Sequence, residues 1–96
     1  MSKLLMVIVP ESHKEEVEAF LARFDVPGYT EIAHALGAGA TGPRMGSRTY
    51  PKTSAVIFSL IDEPTLARLR PAIVEMCKEC GESVKMIVLG VEEVLA

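Results

Sequence analysis

Residues 37–53 (GAGATGPRMGSRTYPKT) carry most of the residue types and spacings that suggest chemistry in this sequence. This segment, which we call the arm, has no acidic residue and combines glycines with basic side chains: Gly37, Gly39, Gly42, Gly46, Arg44, Arg48 and Lys52. Repeated glycine allows successive backbone N–H groups to turn towards one point and bind an anion, and arginine adds paired hydrogen bonds to phosphate or carboxylate. The arm therefore predicts an anion-binding site, without the G-K-[ST] triplet of a Walker loop.

The length of the arm is a second indication of function. A much shorter turn would join the apolar segments on either side of it. Long connections without secondary structure in compact domains are generally functional or disordered. We therefore expect a long flexible arm with a binding role, and the alternative is a mobile loop that its charges merely keep soluble.

The overall composition is that of a single domain covering residues 1–96, with 49% apolar and 24% charged residues. A net charge of −3 argues against binding to nucleic acid. No Asp or Glu occurs between positions 32 and 61, so positive charge is concentrated on the arm and the rest of the chain is acidic. The apolar run near the start is too short for a membrane span, and two cysteines do not suggest a secreted disulfide scaffold. We expect a cytoplasmic protein without membrane insertion.

Short apolar runs predict four strands, at residues 3–9, 29–36, 54–61 and 84–89. Their side chains are apolar in successive positions, which leaves few polar residues for a face exposed to water. A sheet that is apolar on both faces needs a partner on the face that its own helices do not cover. We therefore expect a homo-oligomer, and the alternative is that the strand ends simply carry spare apolar residues.

Two helices are predicted between these strands. The first begins at Ser12, which has the spacing of a capping box with Glu15. The second begins after Asp62 as N-cap and ends at Gly81, and Pro71 should kink or split it. The order βαββαβ predicts an α+β, ferredoxin-like fold. It has a four-stranded antiparallel sheet, both helices on one face, and the arm as a long loop between the second and third strands.

Two stretches of the sequence resemble the PII signal-transduction family of small ferredoxin-like homotrimers. Residues 85–93 (KMIVLGVEE) are similar to the family's K-[IV]-[FW]-V-x-x-V-E-E strand. Residues 27–39 (PGYTEIAHALGAG) resemble the family's G-[ML]-T entry to the second strand and the glycines that open its T-loop. The T-loop of that family connects the second and third strands, which is the position of the arm in this chain. The turn GESVK at residues 81–85 differs from the family's G-D-G-K, and the tail lacks the family's arginines.

The resemblance implies a regulatory homotrimer that binds an anionic effector, such as ATP, ADP or a related nucleotide, in clefts between subunits. No cofactor is required. The implied lining of the cleft is the base of the arm and the turn before the last strand: Gly37, Gly39, Thr41, Gly81, Glu82 and Lys85. An arm ordered by the effector would control a target protein, a transporter or an enzyme, through Arg44, Arg48 and Tyr50. Lys85 on its own is equally typical of an edge strand that avoids pairing with other sheets.

Two alternatives to an effector-binding protein remain at this point. One is a trimer that resembles CutA-type proteins and binds copper or zinc through Cys77, Cys80 and His34. The two cysteines form a C-x-x-C at the C-terminal end of the predicted helix, where the helix dipole does not favour a thiolate, so a structural role is the simpler interpretation. The other is a scaffold trimer without a ligand. We recognise no Ser/His/Asp arrangement or activated nucleophile in the sequence and expect no enzyme.

Overall fold

The computed structural model describes residues 2–40, 42–80 and 84–95, with the backbone alone at Cys80. Its elements, in chain order, are β1 (Ser2–Pro10), a short 3-10 helix (Glu11–His13), α1 (Lys14–Arg23), β2 (Thr30–Ala35), β3 (Gly37–Gly39), β4 (Gly42–Arg44), β5 (Ser54–Asp62), α2 (Glu63–Cys80) and β6 (Lys85–Gly90). Within these residues no helix is both long enough and apolar enough to cross a bilayer.

Four of the strands form one antiparallel sheet in the order β2-β5-β1-β6. This is the order that a split βαβ arrangement gives, and the predicted ferredoxin-like α+β fold is confirmed. The remaining strands, β3 and β4, pair only with each other and form a two-stranded ribbon within the β2–β5 connection. The first part of the arm is therefore regular structure. Its flexibility stays a prediction.

The core lies between one face of the sheet and the two helices. Alternate residues of the central strands point into it, because side chains of a strand alternate between faces. The fully or nearly fully buried apolar side chains are Leu5, Val7, Val9, Ala55, Ile57 and Ile61 of the sheet, Val17 and Leu21 of α1, and Leu66, Leu69, Ile73 and Met76 of α2. Ser59 is buried among them, and its hydroxyl donates a hydrogen bond of 2.6 Å to the Gly28 carbonyl.

The opposite face of the sheet is apolar and carries no helix. Strand register places three rows of residues across it: Lys85–Ile8–Val56, Ile87–Met6–Phe58 and Leu89–Leu4–Leu60. Leu60 and Leu89 remain 43% and 47% exposed, and Ile32 of the edge strand β2 is 52% exposed. The apolar strands thus leave the uncovered surface that their sequences predicted.

The sequence predicted the N-cap of α2 correctly but not that of α1. At α2 the carboxylate of Asp62 accepts a hydrogen bond of 2.8 Å from the backbone N–H of Thr65, which confirms the predicted N-cap. At α1 the predicted capping box is wrong. The α-helix begins at Lys14 after the 3-10 turn, and no side chain caps its N-cap residue His13. Because Pro10 ends β1 and leads directly into that tight turn, Ser12 is drawn out of the N-cap position.

Pro71 does not split the second helix. α2 runs as one α-helix through it from Glu63 to Cys80. Pro71 is exposed, and the buried residues Leu69 and Ile73 on either side pack in the core. Their packing holds the helix together across the hydrogen bond that proline cannot donate.

Candidate anion-binding site

A groove of about 470 Å³ lies between the base of the arm and the uncovered face of the sheet. The end of β2 and the β3–β4 ribbon form one wall, and the first row of the sheet face forms the floor. Its lining residues are Ile8, Ala35, Leu36, Gly37, Ala38, Gly39, Ala40, Gly42, Arg44, Ser54, Val56 and Lys85. We call it the arm-base groove.

The charged residues in the described lining of the arm-base groove, Lys85 and Arg44, are both basic. Lys85 starts β6 in the same row as Ile8 and Val56, so its side chain lies on the face of the sheet that the helices leave open. Arg44 ends β4, is half-buried and pairs across the ribbon with Gly37. Of the residues that the structure describes, none that lines the groove is acidic, and none forms an ion pair with Lys85 or Arg44. Two cations over an apolar floor, neither of them in an ion pair with a described residue, favour an anion with an apolar part.

The glycines of the ribbon are not explained by packing within one chain. A Cβ atom added to Gly37 or Gly39 would meet no atom within 4 Å, and neither residue has a positive φ. Gly42 differs, because its φ of +99° at the end of the ribbon is one that other residues rarely adopt. The backbone at Gly37 and Gly39 is thus open to close approach by a molecule outside the chain.

The structure brings together some of the residues that the sequence assigned to ligand binding. Gly37, Gly39 and Lys85 line one groove although Lys85 is more than forty positions from the two glycines. The other three, Thr41, Gly81 and Glu82, lie outside the described residues. Arg44, which the sequence assigned to the partner-binding loop, also lines the groove, and its role in partner binding stays a prediction.

Residues 45–52 form a compact loop beyond the groove. The carbonyl of Tyr50 accepts hydrogen bonds from the backbone N–H of Met45 at 3.2 Å and of Ser47 at 3.0 Å. The N–H of Tyr50 donates a hydrogen bond of 3.0 Å to the Ser47 hydroxyl. Arg48 and Tyr50 are exposed and do not line the groove. The loop therefore presents both side chains to the solvent.

Glu11 connects the two ends of the arm. Its Oε1 accepts hydrogen bonds from the backbone N–H of His34, before the arm, at 2.8 Å and from the Thr53 hydroxyl, at its end, at 2.7 Å. Its Oε2 lies 3.0 Å from Nδ1 of His34, and its own N–H donates to the Thr53 carbonyl at 3.1 Å. The hydrogen bond from Thr53, together with the contacts from His34, holds the pKa of the Glu11 carboxyl below its ordinary value against the opposing effect of burial.

His34 has a strained backbone at the point where Glu11 holds it. Its φ is +56°, and the register between β2 and β5 shifts between Ile32 and Ala35, as in a β-bulge. A left-handed conformation is unfavourable for a residue with a Cβ, and the hydrogen bond to Glu11 offsets that cost. The bulge redirects the chain from β2 into the ribbon.

The described residues of the alternative metal site do not come together as a ligand cluster within one chain. Among the described residues there is no group of three or more His, Cys, Asp or Glu side chains placed to hold a metal ion. His34 lies on the edge strand β2, whereas the thiol of Cys77 lies 4.0 Å from the carbonyl oxygen of Val84 beside the opposite edge strand, β6. The side chain of Cys80 lies outside the described part of the chain. Within one chain, His34 and Cys77 thus lie near opposite edges of the sheet.

Solved structures with the same architecture include those of CPII and of a DUF3240 family protein. CPII, a nitrogen regulatory PII-like protein from Thiomonas intermedia K12 bound to ADP, AMP and bicarbonate, is 24% identical over 91% of this chain and 82% of its own, with a TM-score of 0.78. The chain has the PII-like fold. The apo form of CPII matches 94% of this chain and 90% of its own chain, with 20% identity and a TM-score of 0.68. A DUF3240 family protein from Shewanella baltica OS155 matches 99% of this chain and 94% of its own chain, with 14% identity and a TM-score of 0.74.

The resemblance predicted from the sequence is thus confirmed for the fold. No family profile and no curated protein sequence matches this chain.

Sequence reasoning missed the floor of the groove and the role of Glu11. Ile8 and Val56 belong to strands that are apolar in nearly every position, so no pattern separates them from the buried residues beside them. Glu11 contacts residues 23 and 42 positions away, and no local spacing signals contacts of that separation. Strand alternation, combined with the register between β1 and β5, would have placed Ile8 and Val56 side by side on the open face of the sheet.

Proposed function

We propose that the protein is a non-enzymatic regulatory protein that binds an adenine nucleotide or a related anion in the arm-base groove. The observation that carries this proposal is the meeting of Lys85, Arg44 and the open backbone of Gly37–Gly39 around one groove whose described lining has no acidic side chain. Backbone N–H groups at glycines and a lysine–arginine pair are the donors that phosphate oxygens take in proteins.

An adenine nucleotide fits the shape and the chemistry of the groove. The groove has a volume of about 470 Å³, which lies within the usual range for small-molecule sites. The apolar floor at Ile8 and Val56 suits a flat ring, and the cations suit the phosphates. CPII, with the same fold, binds ADP, AMP and bicarbonate, which supports a nucleotide and leaves a small carboxylate such as bicarbonate as a second effector.

We propose further that three copies of the chain assemble through the uncovered face of the sheet. The apolar rows beside the groove would be covered in such a homotrimer, and the groove, which continues onto that face, would be completed by a neighbouring subunit. Burial of this surface would supply the free energy of assembly.

The proposed mechanism is a population shift and involves no bond formation or cleavage. The ribbon wall of the groove continues directly into the loop of residues 45–52, and Glu11 fixes the two ends of the arm. A nucleotide that contacts the ribbon would favour one arm conformation among several, because it binds that conformation more tightly. The exposed side chains of Arg48 and Tyr50 would then engage or release a target protein, a transporter or an enzyme, in the cytoplasm.

Calorimetric titration with ATP, ADP, AMP and cyclic AMP tests the proposal. We expect saturable binding of at least one nucleotide, weakened about tenfold or more by Lys85→Ala or Arg44→Ala, because each removes a charge-assisted hydrogen bond. The matched control is Lys3→Ala. Lys3 pairs with Glu63 at 3.6 Å and lies on the helix-covered face of the same sheet, so its loss should leave affinity unchanged. Absence of binding, or equal effects of all three variants, would reject the arm-base groove as the effector site.

A further inference from the structure

A second groove, of about 550 Å³, lies between α2 and β6 on the helix side of the sheet. Six of its lining residues are apolar or a thiol: Ile73, Val74, Cys77, Val84, Met86 and Val88. The other two, Arg70 and Lys78, are basic and exposed on α2. Val74 is 43% exposed, so part of this apolar surface faces water. We call this site the α2–β6 groove.

The residues after β6 have the complementary chemistry. Glu92 and Glu93 are exposed, and Val94 and Leu95 are 92% and 94% exposed, the highest values among the exposed large apolar side chains of the described chain. An acidic pair followed by an apolar pair matches a groove with Arg70 on its rim and apolar residues inside. Lys78, the other basic residue of the rim, already pairs with Glu75 at 3.5 Å. We propose that residues 91–95 of one copy of this chain bind in the α2–β6 groove of a second copy.

The spacing of residues along α2 agrees with the spacing of residues along the tail. Arg70 and Cys77 are seven positions apart on α2, which corresponds to about 10 Å along a helix axis. Glu92 and Leu95 are three positions apart, which corresponds to about 10 Å in an extended chain. An extended tail can therefore reach from Arg70 to Cys77, with Glu92 at the outer end of the groove and Leu95 at the inner end. Because the side chains of an extended chain alternate, Leu95 then faces α2 and Val94 faces β6.

Residues 91–95 of the same chain do not reach the inner end of the groove. The tightest hairpin after Gly90 uses two residues for its turn and brings Leu95 back only as far as Val88. Val88 is four positions from Val84, or about 13 Å along β6. The thiol of Cys77 lies next to Val84, at 4.0 Å from its carbonyl oxygen. The inner end of the groove is thus out of reach of residues 91–95 of the same chain, and we assign it to the same residues of a second copy.

The contact is independent of the nucleotide proposal, since it requires only that two copies meet. Disulfide trapping tests it in the full chain. Leu95→Cys is combined with Cys80→Ser, so that Cys77 is the other cysteine, and the protein is mildly oxidised. We expect a covalent species of two or more chains on a non-reducing gel. It should disappear on further substitution of Cys77→Ser. Met45→Cys, at a residue 41% exposed on the arm loop, is the matched control and should not form it.

Charge reversal supplies the second readout. Glu92→Lys should lower the yield of the cross-linked species several-fold in the trapping background, and Arg70→Glu combined with Glu92→Lys should restore it. A disulfide formed within one chain, a yield no greater than that of Met45→Cys, or a yield indifferent to both charge changes would overturn the proposal. Near-native melting temperatures of all variants, expected for exposed positions, show that each is folded.

Discussion

The proposed assembly through the open sheet face can be tested with Leu60→Ser combined with Leu89→Ser. These leucines flank Leu4 in one row of that face. Full burial of a leucine side chain is worth about 1.5–3 kcal/mol. Leu60 and Leu89 remain 43% and 47% exposed in the single chain, so roughly 1 kcal/mol for each is still to be gained when a partner covers them. The double variant should therefore lose about 2 kcal/mol per subunit on association, a factor of roughly 30 in the equilibrium constant for each subunit.

Sedimentation velocity over a dilution series measures this effect. The native chain should sediment as a trimer at concentrations where the double variant is largely monomeric. Met45→Ser is the control, because Met45 is 41% exposed but lies on the arm loop, and its loss should leave the sedimentation profile unchanged. Urea unfolding of the monomers separates lost association from lost folding. A double variant that remains assembled like the native chain, or a native chain that is monomeric throughout, would refute the reasoning.

Three further predictions concern the arm. Because the pKa of Glu11 is lowered in the folded state, its contribution to stability is present above its unfolded pKa of about 4.3 and is lost as the pH falls through the lower folded pKa. Glu11→Gln should therefore flatten the acid limb of the stability–pH curve and speed amide exchange at His34, measured by unfolding and hydrogen exchange. Gly37→Ala should keep the native melting temperature, since its Cβ meets nothing within 4 Å, but weaken nucleotide binding in calorimetry. Gly42→Ala should lower the free energy of unfolding by about 1 kcal/mol, because its φ of +99° disfavours a Cβ; unchanged stability would contradict that assignment.

The fold could be predicted because its signals are local. Apolar runs of strand length, helical spacing of Leu66, Leu69 and Ile73, and a capping aspartate at Asp62 each act over a few residues, and the order of elements then limits the topology. The apolar character of both sheet faces could be predicted for the same reason. The start of α1 could not, because the 3-10 turn after Pro10 competes with the capping box for the same residues.

The candidate site was predictable only in part. Gly37, Gly39 and Lys85 were found through residue chemistry and family resemblance, and the structure places them around one groove. The place of Arg44 in the lining of the groove could not be predicted, because nothing in the sequence shows that the ribbon β3–β4 forms. The link from Glu11 to both ends of the arm depends on the bulge at His34, a tertiary feature without a local sequence signal.

A crystal structure of the protein grown with ADP tests the central claim most directly. The account predicts the nucleotide in the arm-base groove, with phosphate oxygens within about 3.2 Å of the Lys85 Nζ or of backbone N–H groups between Gly37 and Gly39, and with Arg44 on the same ligand. A nucleotide bound in the α2–β6 groove or elsewhere, with the arm-base groove occupied only by solvent, would contradict it.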